Sequence, residues 1–198
     1  MTKTARQHRQ ANTRQAVLQT ALALIAEKGL DKLSLREIAR RVEYSPAGLY
    51  EYFDGKDDIL RALAREGDAR LRAAFERISS DLPPIERLVQ IGLAYVDFVM
   101  YNSEYFAVMN SMPSTYSSLD QPLPTESSYF IILQAVQKAI EAGEIRPRED
   151  FRRDEITYSV WAMVHGMGTL RLGHLREFKA DFETANRRAL ETFLAGLK

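Results

Sequence analysis

The side chains able to do chemistry are few. Three histidines (His8, His165 and His174) stand too far apart for a histidine-based metal site, although carboxylate ligands stay open. There is no cysteine, hence no thiolate and no disulfide framework, and nothing suggests an oxidising compartment. No nucleophile–base pair stands at an interpretable spacing. Gly166-Met167-Gly168 opens like a dinucleotide fingerprint, but Arg171 occupies the place of the third glycine and no strand precedes it. The expectation is no catalytic residue, no metal and no cofactor. What remains is polyanion chemistry. The whole chain balances 27 Lys and Arg against 27 Asp and Glu, yet residues 1–50 hold nine basic groups against four acids. A basic N-terminal block on a mildly acidic remainder is what local phosphate contact requires, and a solvated basic arm is the plainer alternative.

Elements must position those groups. At 198 residues, 45% hydrophobic and 27% charged, the chain is long enough for one or two domains with a real core. No apolar run approaches the ~20 residues of a membrane span. The N-terminus is basic and polar rather than a secretion signal, so the expectation is a cytoplasmic, soluble protein without a membrane partner. Helical periodicity dominates. Val17, Ala21, Leu24 and Ile25 mark a first helix over roughly 13–28, stopped by Gly29. Ser34 and Glu37 have the spacing of a capping box, followed by Leu35, Ile38, Ala39 and Val42 on one face and Arg36, Arg40 and Arg41 on the other. Ser45-Pro46 opens a short third helix with Leu49 and Phe53 inward, and Asp54-Gly55 ends it. A fourth helix starts near Lys56. Beyond Pro83-Pro84 come a helix through Val99, a short aromatic piece at 104–109, a Ser/Pro-rich loop at 111–124, a helix ending at Gly143, and helices near 151–172 and 181–195. The fold class is all-α.

Residues 34–53 read as helix, three-residue turn, helix, backed by the first helix. This is the helix-turn-helix arrangement, whose second member enters the DNA major groove; a plain hairpin within a bundle is the alternative. The surface left after the core is removed favours DNA. Pro46, Ala47 and Gly48 are small enough to let backbone approach a phosphate, Tyr50 and Tyr52 offer hydroxyls, and Lys56 stands one turn beyond.

Residues 13–63, TRQAVLQTALALIAEKGLDKLSLREIARRVEYSPAGLYEYFDGKDDILRAL, closely resemble the N-terminal DNA-binding domain of TetR-type transcriptional regulators. LSLREIARRV, SPAGLYEYF and GKDDIL carry the resemblance together. It implies a homodimeric repressor binding a palindromic operator, with a helical C-terminal ligand-binding and dimerisation domain, released from DNA by a small molecule. It places Ser34 and Arg36 at the DNA-facing start of the second helix, Pro46, Ala47, Gly48 and Tyr50 toward the groove, and Tyr52 and Lys56 on phosphates. Glu43 departs from the family, which most often has glycine at that turn position; a left-handed backbone there would cost of order 1 kcal/mol. Gly48 replaces a frequent hydroxyl residue. Trp161-Ala162-Met163-Val164-His165-Gly166 is similar to the Trp-x-x-x-His-Gly motif of one subgroup. The expected division is a basic arm at 1–12, the DNA-binding domain at 13–60 and the helical effector domain at 61–198.

In the C-terminal part, Phe98, Tyr101, Phe106, Met109, Tyr129, Trp161 and His165 are candidates for an adaptable pocket taking a small, largely apolar effector; core packing is the alternative for each. The helix near 151–172 is apolar on two sides, and so is the last one. Gly166, Gly168, Leu172, Phe182, Ala189 and Phe193 are therefore candidates for a four-helix dimer interface. Two other classes stay in view: a helical enzyme, lacking any visible catalytic constellation, and a helical adaptor, supported by Glu43 and by the acids Glu51, Asp54, Asp57 and Asp58.

Overall fold

A computed structural model describes residues 4–113 and 124–198. Most of the expected loop at 111–124 lies outside the described residues. The described residues form α1 (Ala5–Lys28), α2 (Leu35–Arg41), α3 (Pro46–Leu49), α4 (Lys56–Glu76), α5 (Pro84–Tyr101), α6 (Ser103–Ser111), α7 (Ser128–Glu141), α8 (Arg153–Leu172) and α9 (Phe182–Ala195), with no strand among them. The all-α expectation holds.

The first helix is longer than its periodicity suggests. It begins at Ala5 because Thr4 and Gln7 form a reciprocal capping box: the Gln7 amide N–H donates to Thr4 Oγ1 at 3.3 Å and the Thr4 N–H donates to Gln7 Oε1 at 2.8 Å. The expected basic arm is therefore helical from Ala5 onward. At α2 the capping box is only half made. Ser34 Oγ accepts from the Glu37 N–H at 3.3 Å, but the Glu37 carboxylate is taken by Lys28 at 3.1 Å and Arg40 at 2.9 Å. Regular helix ends at Leu49 in α3, and the Tyr52 and Phe53 N–H groups both return to the Leu49 carbonyl.

The chain divides into two compact units, residues 1–67 with 104–113, and residues 68–103 with 114–198, so the division falls inside α4. In the first unit α1 packs on α2 and α2 on α3. Val17, Ala21, Leu24, Ile38, Leu49 and Phe53 are buried, as are Ile59 and Leu63 of α4. Tyr105, Phe106 and Val108 of α6 are also buried in this unit, and Tyr105 Oη donates to Glu66 Oε1 at 2.6 Å. Gly67 is where α4 admits α6: a Cβ there would stand 2.8 Å from Met109 Sδ.

In the second unit α5 is the central element, packed against α7, α8 and α9. Leu88, Val96, Val99, Val136, Val160, Val164 and Leu190 are buried. The start of α7 is held by Asp68, whose Oδ1 accepts from both the N–H and the hydroxyl of Ser128.

Candidate nucleic-acid interface

The turn between α2 and α3 depends on one left-handed residue. Glu43 has φ 59°, and the Tyr44 N–H reaches back to the Ala39 carbonyl at 2.9 Å, which closes α2 with a Schellman bond. The backbone thus takes the conformation that glycine would favour, with a glutamate in it. At α3, Ser45 Oγ accepts from the Gly48 N–H at 3.0 Å and Pro46 occupies the first turn. A Cβ on Gly48 would meet Ser45 Oγ at 3.3 Å, so the missing side chain keeps this cap tight.

The arginines of α2 separate into two kinds. Arg41 makes a two-pronged bond to Glu27 of α1, at 2.8 and 2.5 Å, and Arg40 pairs with Glu37. Hydrogen bonds from Arg40 and then Lys28 hold the Glu37 carboxyl down to about 2. Both guanidiniums are thereby committed to protein carboxylates. Arg36 is exposed and has no ion pair or hydrogen bond among the described residues. Ser34, Pro46, Ala47 and Tyr50 are exposed as well, Tyr50 to 59%, while Gly48, Tyr52 and Lys56 are half-buried. Arg36, Tyr50 and Lys56 are therefore the polar groups of the expected surface whose side chains have no partner among the described residues. The Tyr52 hydroxyl is already hydrogen-bonded to Tyr44, which raises its pKa; the two rings meet edge to face at 5.9 Å, and Tyr44 Oη lies 3.3 Å from Thr13 Oγ1.

Two groups in this region belong to the basic N-terminal block, and the structure gives them specific neighbours. Arg14 of α1 donates to the Tyr52 carbonyl and lays its guanidinium 3.9 Å from the centre of the Phe53 ring, tying the turn after α3 to α1. Arg6, Arg9, Gln10, Asn12 and Thr13 line a cleft of about 520 Å³ with Tyr44, Glu51 and Tyr52. The signal for both lay in the basic residues Arg6, Arg9 and Arg14, whose placement is fixed only once the helix is known to begin at Ala5.

The expected effector residues do not form one set. Phe106 and Met109 belong to the first unit, and the others to the second. Phe98 is buried and Tyr101, 84% exposed, stands beside it on an open cleft of about 410 Å³ shared with Arg70, Arg77 and Asp97. Tyr129, Trp161 and His165 do come together: the Trp161 ring lies 5.9 Å from Tyr129, edge to face, and 5.3 Å from His165. His165 Nδ1 is 2.9 Å from the hydroxyl of Tyr95. Burial lowers the His165 pKa and pushes Tyr95 up to about 12, so at neutral pH this is a pair of uncharged groups.

The dimer candidates also separate. A Cβ on Gly168 would lie 2.8 Å from Val99 Cγ1, so this glycine serves the contact of α8 with α5 in its own chain and is not available to a partner. This corrects its assignment. Gly166 has nothing within 4 Å of its would-be Cβ, Ala189 is exposed, and Leu172, Phe182 and Phe193 are half-buried. Phe182 carries the guanidinium of Arg171 at 5.0 Å.

Among the described residues no helix is long and apolar enough to cross a membrane. In comparisons with known proteins, residues 17–63 match the model for bacterial regulatory proteins of the tetR family, and residues 88–193, more than half the chain, match the tetracyclin repressor-like C-terminal domain. Among solved structures, a protein of unknown function from Rhodococcus sp. RHA1 is 28% identical, with 93% of this chain and 95% of that one covered at a TM-score of 0.75. A bacterial regulatory protein of the tetR family from Rhodococcus RHA1 is 19% identical over 93% and 96% of the two chains, TM-score 0.69. The TetR family transcriptional regulator PfmR from Thermus thermophilus is 21% identical over 100% and 99%, TM-score 0.64. The latter two likenesses are of fold. A highly reducing polyketide synthase, poxF, from Penicillium oxalicum is 32% identical over 71 residues, but the chain spans only 3% of that protein's length. Two family models, one over the helix-turn-helix and one over the helical remainder, agree on one assignment: this chain belongs to the tetR family of bacterial regulatory proteins.

Proposed function

We propose that the protein is a non-enzymatic transcriptional repressor that acts in the cytoplasm as a homodimer on a palindromic operator and leaves it when a small, largely apolar effector binds. The observation that carries this reading is the surface of α2 and α3. Arg40 and Arg41 are neutralised by Glu37 and Glu27, whereas Arg36 is exposed without a partner among the described residues, beside exposed Pro46, Ala47 and Tyr50. A fork of donors free to meet a guanine edge is what base reading requires. Ser34, Gly48, Tyr52 and Lys56 supply backbone and phosphate contacts around it.

Dimerisation uses the faces of α8 and α9 bearing Gly166, Leu172, Phe182, Ala189 and Phe193, and it sets two recognition helices ~34–36 Å apart, one turn of DNA. The effector site centres on Trp161, His165 and Tyr129, with Tyr95 joining them; Phe98, Tyr101, Phe106 and Met109 belong to the same proposal as residues that respond to it. A ligand there releases DNA only by preferring a conformation with the wrong half-site spacing. Helix α4 is the covalent route for that signal, because it starts in the DNA-binding unit and continues into the other.

Selection of bound duplexes from a random DNA pool tests the reading. A palindromic consensus supports it. No enrichment, with affinity that ignores salt, refutes it and favours the helical adaptor suggested by Glu43 and Glu51.

A further inference from the structure

The first turns of α1 hold a feature that the helix-turn-helix reading does not use. Arg6, Arg9 and Thr13 follow one another at i, i+3 and i+7, so they share one face of a helix that is already capped at Thr4. That face is one wall of the cleft of about 520 Å³, and Tyr44 and Tyr52, which flank α3, are on the other. The hydroxyls of Thr13 and Tyr44 are 3.3 Å apart. Arg6 and Arg9 are exposed, and among the described residues neither has an ion pair or a hydrogen bond. Two unpaired guanidiniums in one concave surface suit phosphate oxygens: the guanidinium forks bind them with charge-assisted bonds, and the mutually bonded hydroxyls of Thr13, Tyr44 and Tyr52 give that surface a polar, uncharged wall. Glu51 is the acid in the same cleft, and it sets a limit on any anion bound there.

We infer that this cleft is a second DNA-binding site, a sequence-independent cradle for the duplex backbone built by the N-terminal turns of α1 with Tyr44 and Tyr52. This deepens the proposed function and rests on it. Being helical, the basic segment holds its charges in place before DNA arrives, unlike a disordered arm that must be ordered on binding.

The test is fluorescence anisotropy of the full-length protein on a 30-bp duplex of random sequence and on a duplex recovered by selection, each from 50 to 200 mM salt. Two phosphate contacts contribute about 1.8 to the log–log salt slope. The double variant Arg6→Ala, Arg9→Ala should lose that much slope on both duplexes, so that its deficit relative to the native protein narrows about tenfold across the salt range. Base preference on the selected duplex should not change. Glu51→Gln should strengthen binding to both duplexes. Gln10→Pro, which keeps both arginines but breaks the helix before the core begins at Val17, should reproduce part of the loss. Native slope in the double variant, with native DNA binding intact, overturns the cradle and leaves the regulator reading standing. So does native binding by the proline variant, because a site that needs no helix is not this cleft. A native protein that binds neither duplex overturns both. Anionic vesicles replace the duplex in a parallel arm, and a loss confined to vesicles would assign the cleft to a membrane surface and overturn the proposal.

Discussion

Gly168→Ala gives the sharpest test of how α8 is used. A Cβ built on Gly168 stands 2.8 Å from Val99 Cγ1, 3.0 Å from Val99 Cβ and 3.1 Å from Val99 Cγ2, where ordinary carbon contacts lie at about 3.5–4.0 Å. Rotating the valine does not relieve this, because its Cβ is itself too close and is fixed to the backbone of α5. Val99 is fully buried, so its surroundings leave it nowhere to go. The two helices must part by about half an ångström, a local overpacking that costs about 1–3 kcal/mol. Alanine returns about 1 kcal/mol of helix propensity, leaving a net destabilisation of about 0–2 kcal/mol. At 2–4 °C per kcal/mol for a chain of this size, Tm should fall by up to roughly 8 °C. Urea titration with matched thermal scans measures it. Adding Val99→Ala removes two of the three clashing atoms, so the double variant should lose less than the sum of the singles. Gly166→Ala, two residues away on the same helix, meets nothing within 4 Å and should gain about 1 kcal/mol. A Gly168→Ala protein stabilised as much as Gly166→Ala would refute the packing argument.

The other predictions concern the interface and its support. Arg36→Ala should relax preference at a guanine position and cost about 1–3 kcal/mol on the selected operator. Lys56→Ala should weaken binding to every sequence and lower the salt slope by about one; identical behaviour of the two variants in parallel titrations would remove the distinction between base and phosphate roles. Glu43→Gly should stabilise the protein by about 1 kcal/mol, since φ 59° strains any side chain, and loss of the negative charge should raise DNA affinity. The Glu37 carboxyl is depressed from its ordinary 4.5 to about 2 by its bonds to Arg40 and Lys28, so the stabilisation it brings is complete above pH 4.5 and is lost as pH falls through about 2. Acid titration of the folded protein should show that loss, and Glu37→Gln should flatten it; an identical acid limb in the variant would mean the ion pairs contribute nothing. Gly166→Leu adds atoms where its own chain offers none to meet, so sedimentation should show a weakened dimer, and an unchanged one would place the interface elsewhere.

Much of this molecule is decided by short-range pattern. The apolar residues at helical spacing from Val17 to Ile25, the Ser34 and Ser45 caps, Pro46 and the stop at Gly143 are local instructions; α2, α7, α8 and α9 lie close to where those instructions place them, and α3 starts where Ser45 and Pro46 place it but ends at Leu49 rather than at Asp54-Gly55. The left-handed turn at Glu43 was signalled only by the family resemblance, since a glutamate carries no local sign of that conformation. Local pattern fell short at the start of α1, where a polar capped segment has no hydrophobic period to announce it.

Partner choice was not legible, because it depends on groups distant in sequence. Arg36, Arg40 and Arg41 are equivalent as residues, yet Glu27, fourteen positions away, takes Arg41, while Arg36 has no partner among the described residues. Gly166 and Gly168 look alike on one helix, but only Gly168 has Val99 of α5 against it. Phe106 and Met109 share the aromatic and methionine character of an effector pocket, yet α6 closes on Gly67 of α4 and carries both into the DNA-binding unit. A residue's type states what it can bind; the helix packed against it decides whether that capacity is already used.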